Sequence, residues 1–145
     1  MTNDRQEEAS TLSLRLDVPS RVWQGERVPI VLTLANHGRT SQDFLLGVGM
    51  RRPHFDVTVS REDGSLVWRR LAGMTIAGVL KNLRLEPEGT MEFAHVWNQH
   101  GLDGSPVPSA RYLVTGRLEE IRPLVLLSHP PREVIIEARR AEGNT

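Results

Sequence analysis

The 145-residue sequence predicts an all-β protein, a two-layer antiparallel β-sandwich of seven to nine strands. Three observations predict it. Apolar residues recur at every second position in segment after segment. Turn residues separate those segments at intervals of roughly 8–12 residues. No stretch carries a convincing helix of ordinary length. Parallel neighbours need crossover connections, usually helical, so the strands are expected to run antiparallel. Each half-polar strand must then cover its apolar face with a second sheet, or by closing into a small barrel. The sandwich is the expected solution and the barrel the alternative.

The first strand is read from Leu12, Leu14, Leu16 and Val18, which alternate with Thr11, Ser13, Arg15 and Asp17 and end at Pro19-Ser20. Val28, Ile30, Leu32 and Leu34 repeat the pattern before the turn residues Asn36-His37-Gly38. Pro29 cannot donate to a ladder, so this strand starts late or begins at an edge. Phe44, Leu46 and Val48 mark a third strand, interrupted over residues 49–53. Phe55, Val57 and Val59 mark a fourth, with Asp56, Thr58 and Ser60 facing away. Glu62-Asp63-Gly64-Ser65 has hairpin chemistry, because Asp-Gly tolerates positive φ. In the returning strand, residues 66–69, either Val67 or Trp68 turns inward, and alternation puts Leu66 and Trp68 on one face.

Residues 71–82 read as a loop with a short helical turn, since Gly73 and Gly78 weaken anything longer. Leu83 and Leu85 alternate before the turn Pro87-Glu88-Gly89. Met91, Phe93, His95 and Trp97 form the bulkier face of the next strand. Residues 98–109, rich in Gly, Pro, Asn and Ser, form a long loop. Tyr112, Val114, Gly116 and Leu118 form a strand, residues 124–127 a short apolar stretch, and Val134, Ile136 and Ala138 the last strand. One domain over residues 10–139 is expected, with flexible tails at 1–9 and 140–145.

Composition removes several function classes. Lys plus Arg and Asp plus Glu both number 18, so no long-range field draws in nucleic acid or anionic lipid. Cysteine is absent, which excludes disulfides, thiolate chemistry and Cys-ligated metals and agrees with a cytoplasmic location. No apolar run approaches the roughly 18–20 residues of a membrane span, and residues 1–10 lack the basic and apolar regions of a secretory signal.

Catalytic chemistry finds little support. The five histidines, His37, His54, His95, His100 and His129, show no helical metal-ligand spacing. His95 and His100, with Asp103 close by, are the one conceivable two-His, one-carboxylate set, and ordinary strand and loop histidines are the expected reading. His54 and Asp56 share a strand face as a solvated pair or a ligand pair. There is no nucleophile elbow and no Gly-rich phosphate loop. The acidic clusters Glu7-Glu8, Glu62-Asp63, Glu86/Glu88 and Glu119-Glu120 fit tails, turns and strand ends. Seventeen of the eighteen cations are Arg, and the doublets Arg51-Arg52, Arg69-Arg70 and Arg139-Arg140 read as solvated rims. No catalytic, cofactor or metal site is therefore expected, and the protein is not expected to be an enzyme.

Protein recognition remains, through the loops 71–82 and 98–109 or by strand addition at a sheet edge. The prolines Pro106 and Pro108 restrict the second loop before it binds.

An ordered set of segments resembles the BsuPI domain, a bacterial family of intracellular proteinase inhibitors. The segments are Leu32-Thr33-Leu34-Ala35-Asn36-His37-Gly38, Pro53-His54-Phe55-Asp56-Val57-Thr58-Val59, Asp63-Gly64-Ser65-Leu66-Val67-Trp68-Arg69, Leu85-Glu86-Pro87-Glu88-Gly89, Phe93 to Trp97, and Tyr112-Leu113-Val114-Thr115-Gly116. The likeness spans roughly residues 12–137. It departs from the family pattern where Gly89 falls one place late, where Pro108-Ser109-Ala110-Arg111 replaces a Pro-Gly turn, and where an aromatic near Met74 or Ile76 is missing.

The resemblance implies an immunoglobulin-like sandwich. It also implies a cytoplasmic inhibitor or regulator of a serine proteinase, subtilisin-like in type, bound through surface loops. The alternative is a general protein-interaction module with no proteinase target, because the matching residues have architectural roles. A monomer or weak homodimer is expected, the latter if an unprotected edge strand pairs with its copy.

Overall fold

The structure, a computed structural model, describes residues 11–49, 52–53, 55–72, 79–119, 125–128 and 130–139. Twelve strands occur among them: β1 (Leu12–Asp17), β2 (Arg21–Trp23), β3 (Val28–Asn36), β4 (Gln42–Gly49), β5 (Arg52–Pro53), β6 (Phe55–Arg61), β7 (Leu66–Arg69), β8 (Val79–Leu85), β9 (Thr90–Trp97), β10 (Ala110–Glu119), β11 (Val125–Leu127) and β12 (Arg132–Glu137). Three of these, β2, β5 and β11, have only two or three residues, and without them nine remain. Segments so short carry no readable alternation. The tails expected at 1–9 and 140–145, the helical turn expected within 73–78, and His54 and His129 lie outside the described residues.

Two sheets face one another. One has the order β1-β3-β9, the other β2-β12-β10-β6-β7, with β11 paired to β10. A third sheet has the order β5-β4-β8; its β4–β8 ladder follows the β3–β9 ladder along the chain, and β5 pairs antiparallel with the end of β4. All pairs are antiparallel except one: β2 runs parallel to β12. This corrects the all-antiparallel expectation. The connection between β2 and β12 is nearly the whole chain, so no crossover helix is needed.

Alternation places the core as expected. Leu12, Leu14 and Leu16 of β1, and Val28, Ile30, Leu32 and Leu34 of β3, are buried. They meet Val57 and Val59 of β6, Phe93 and Trp97 of β9, Tyr112, Val114 and Leu118 of β10, and Val134 and Ile136 of β12. Pro29 lies past the last β1 pair, Asp17 with Val31, where β3 has β9 as its only partner. Trp97 is the tryptophan at the centre, 1% exposed, while Trp23 is 47% exposed. His95, Trp68, Trp97 and Tyr112 form a continuous aromatic row with successive centroids 5.6, 5.8 and 6.2 Å apart. Such contacts add to the area each ring buries.

The joint between β3 and β4 hangs on Asn36, which is fully buried. Its Nδ2 donates to the Thr40 and Leu85 carbonyls, and its Oδ1 accepts from the Gly38 amide. Tyr112 donates from its hydroxyl to the Pro108 carbonyl four residues upstream, at 2.6 Å. That bond is the tyrosine corner of immunoglobulin-like sandwiches. It supplies a fold marker where the inter-sheet disulfide is impossible.

Four local expectations are corrected. Asp56 does not face solvent: it is buried, accepts from the Val57 and Leu71 amides, and pairs with Arg69. Arg69-Arg70 is accordingly no free rim, because Arg70 donates to the Phe55 carbonyl and lies 3.9 Å over the Phe55 ring. Leu66 and Trp68 do not share a face: Leu66 is exposed, while Trp68 packs against the core and Val67, one of the two residues expected inward, is buried. The cause is a bulge: Val59 pairs with Trp68 and Ser60 with Leu66, so Val67 is the extra residue. Residues 79–82 belong to β8 and not to the first expected loop.

Candidate loop interface

One pole of the sandwich gathers the β2–β3 turn, the β6–β7 hairpin, the end of β12 and the loop 98–109. The loop is built from the inside out. Gln99 has left-handed backbone (φ 63°) and a side chain only 2% exposed. Its Nε2 donates to the Trp23 and Glu26 carbonyls, and its Oε1 accepts from the Gly25 amide, all at 2.9 Å. One side chain thereby fastens the loop to the β2–β3 turn. The Val107 amide returns to the Gln99 carbonyl, and the Trp97 indole donates to the His100 carbonyl. Gln24 adds a bond to the Val107 carbonyl.

The tip is a closed turn. Gly101 donates to the Ser105 carbonyl, Gly104 donates to the Gly101 carbonyl, and Leu102 donates to the carbonyl of the bulged Val67. Asp103 accepts from the Ser105 amide. The facing hairpin repeats this arrangement, with Asp63 accepting from the Ser65 amide and hydroxyl. Gly64 and Gly104 take the positive φ that each Asp-Gly-Ser turn requires.

Ser65 and Ser105 hold the carboxyl groups of Asp63 and Asp103 below the ordinary Asp value, chiefly by side-chain hydrogen bonds. These groups favour the folded turns above the ordinary carboxylate range. That support is lost as the pH falls through the lowered values.

The pole presents two exposed leucines among polar residues. Leu102 is 53% exposed and Leu66 49%. Between them runs an open cleft of about 380 Å³, walled by Arg61, Leu66, Leu102, Asp103 and Pro106, with Val67 in its lining. A second hollow of about 300 Å³ lies against Asn98, His100, Pro106 and Arg139. The conceivable metal set does not come together. His95 stacks on Trp68, His100 faces the Asn98 carbonyl, and Asp103 caps its own turn. Among the described residues no group of three His, Asp or Glu could hold a metal ion. No helix there is long and apolar enough to cross a membrane. Of the two loops expected to make contacts, 98–109 is described completely, and residues 73–78 of the other are not described.

Residues 15–121 match the family described as BsuPI, intracellular proteinase inhibitor. The chain belongs to the BsuPI family. The match runs from β1 past the end of β10 and so contains the loop 98–109. No curated protein matches the chain. Among solved structures, Spo0M, a sporulation control protein of Bacillus subtilis, aligns with a TM-score of 0.53 at 15% identity over 89% of this chain and 50% of its own. A CARDB domain from Pyrococcus furiosus, in complex with di-metal ions, aligns at 0.45 and 12% identity over 87% of each chain. The alkylpurine DNA glycosylase AlkC of Pseudomonas fluorescens aligns at 0.47 and 15% over 88% of this chain and 31% of its own. The chain thus spans half the length of Spo0M and a third of AlkC. At such identity the likeness to Spo0M concerns the fold alone.

The BsuPI framework explains one departure from the family pattern. The left-handed position of the turn after Leu85 falls on Glu88 (φ 61°), where the family has Gly. Gly89 has its own reason: an added Cβ would lie 2.8 Å from the Glu86 carbonyl oxygen. Gln99 had no signal in the sequence, being one polar residue in a polar loop. The tyrosine corner had one, in the four-residue spacing of Pro108 and Tyr112.

Proposed function

We propose that the protein is a binding protein without catalytic activity that restrains a subtilisin-type serine proteinase in the cytoplasm. Residues 10–139 act as one unit, and the loop 98–109 makes the contact. The observation that carries this reading is the loop itself, an exposed Leu102 on a turn whose backbone is tied down by Gln99, Val67 and Ser105. Ordering such a loop on binding costs little, because it is already ordered. The tip is a closed turn and not extended chain, so Leu102 enters the partner as a knob and the loop is not a substrate.

The second reading, an interaction module with no proteinase target, draws on a different observation. Asn36, Asp56, Trp97 and Tyr112, which carry the family pattern, all serve the framework.

Titration of an intracellular subtilisin-type proteinase with the purified protein separates the two. The proposal expects slowing near one-to-one stoichiometry and an intact inhibitor afterwards. Leu102→Asp should weaken inhibition at least about tenfold, roughly 1.4 kcal/mol, with an unchanged melting temperature. Rapid digestion of the protein without slowing of the enzyme would overturn the inhibitor reading. Equal inhibition by Leu102→Asp would remove the loop from it.

A further inference from the structure

Among the described residues, no strand pairs with the outer edge of β9. The Asn36 amide donates to the Gly89 carbonyl, and the Glu88 amide to the Asn36 carbonyl. This fixes the parity of the β3–β9 ladder: Met91, Phe93 and His95 bond to β3, and Glu92, Ala94 and Val96 aim their amides and carbonyls away from it. No described strand pairs on that side. Other described edges differ from it. The Val67 carbonyl of β7 takes the Leu102 amide, Arg132 covers the Leu16 carbonyl of β1, β2 and β5 are very short, and β8, the edge strand beside β4, carries Lys81 and Arg84 in its sequence. In contrast β9 keeps eight residues in unbroken register, with no Pro, Lys or bulge to repel another strand.

Beside this edge the sheet's outer face is apolar. Cross-strand rows join Val96 to Pro29 and Ala94 to Val31, and Val96 is 49% exposed. Glu92 is the only charged residue among the outward-bonding positions of β9.

We propose that β9 pairs antiparallel with β9 of a second copy, joining two three-stranded sheets into one of six. A twofold axis beside His95 sets Ala94 against Val96 of the second copy and Glu92 against its Asn98. The two apolar rows then run unbroken from one copy into the other, and no like charges meet. In this register each His95 keeps its own Trp68 stack. The chain's net charge of zero leaves no long-range repulsion between copies. This self-complementarity selects a second copy over an unrelated strand. A contact of this size belongs to the weak, reversible class.

Sedimentation velocity across the micromolar range tests it, with amide exchange read in parallel. The wild-type protein should shift from 16.3 kDa toward twice that mass as concentration rises, with exchange slowing at Glu92, Ala94 and Val96. Ala94→Pro removes only an outward donor and leaves the β3 bonds intact, so it should abolish the shift. Val96→Lys, on the solvent face, should abolish it without burdening the fold. A wild-type protein that stays monomeric throughout overturns the proposal, as does a dimer that persists in Val96→Lys.

Discussion

Gln99→Ala should lower the unfolding free energy by about 1–3 kcal/mol, since the change removes three hydrogen bonds to partly buried backbone groups, each worth about 0.5–1.5 kcal/mol. The Gln99 side chain serves the Gly25 amide and the Trp23 and Glu26 carbonyls, and it is almost wholly enclosed. Truncation removes all three bonds; the Trp23 carbonyl keeps the Glu26 amide and Gln24 stays tied to the Glu137 carbonyl, so the turn persists while the loop loses its fastening. Gln99→Gly is the control. It loses the same bonds but relieves the left-handed backbone, a strain of about 1–2 kcal/mol for residues with a Cβ. It should therefore cost less than Ala. Chemical unfolding checks both. A loss under about 0.5 kcal/mol, the level of ordinary surface changes, would mean the loop is not held as described.

The second large effect tests the contact between the sheets. Gly116 of β10 faces Leu32 of β3, and a Cβ placed there would overlap the Leu32 Cδ2 and press on its Cγ at 3.0 Å. The strand cannot slide away. The Gly116 amide is bonded to the Ser128 hydroxyl at 2.7 Å, and its carbonyl to the Ser128 amide at 2.9 Å. Gly116→Ala should cost about 1–3 kcal/mol through overpacking. Leu32→Ala should cost about 3–5 kcal/mol through the cavity it opens. The double variant should cost clearly less than the sum, because the truncated Leu32 makes room for the new methyl group, with coupling of about 1 kcal/mol or more. Strict additivity would contradict face-to-face packing of β3 on β10.

The framework was legible because its signal repeats. Three apolar residues on one face of β1 and four on one face of β3 leave a strand few other solutions, and the aromatic positions of β9 and β10 follow the same period. What escaped depends on pairing, which a one-dimensional pattern does not contain. Leu66 and Trp68 fall on different faces because a bulge shifted the register. Asp56 reads as solvent-facing by parity, yet Arg69 and the Leu71 amide, brought over by β7, enclose it. β2 finds its partner at the far end of the chain.

The proposed contact surface was legible only as a loop. Gly, Pro and Asn mark residues 98–109 as a connection. Gln99 becomes a fastening point only once three backbone groups from residues 23–26 converge on it.

The proposed restraint of a proteinase depends on that loop as the contact surface. Amide exchange on the protein, free and saturated with a catalytically inactivated subtilisin-type proteinase, reads this directly. Slowed exchange over residues 100–106 and at Leu66, with the β10 and β12 amides unchanged, is the predicted result. Protection elsewhere on the sandwich, with the loop exchanging as in the free protein, would contradict it.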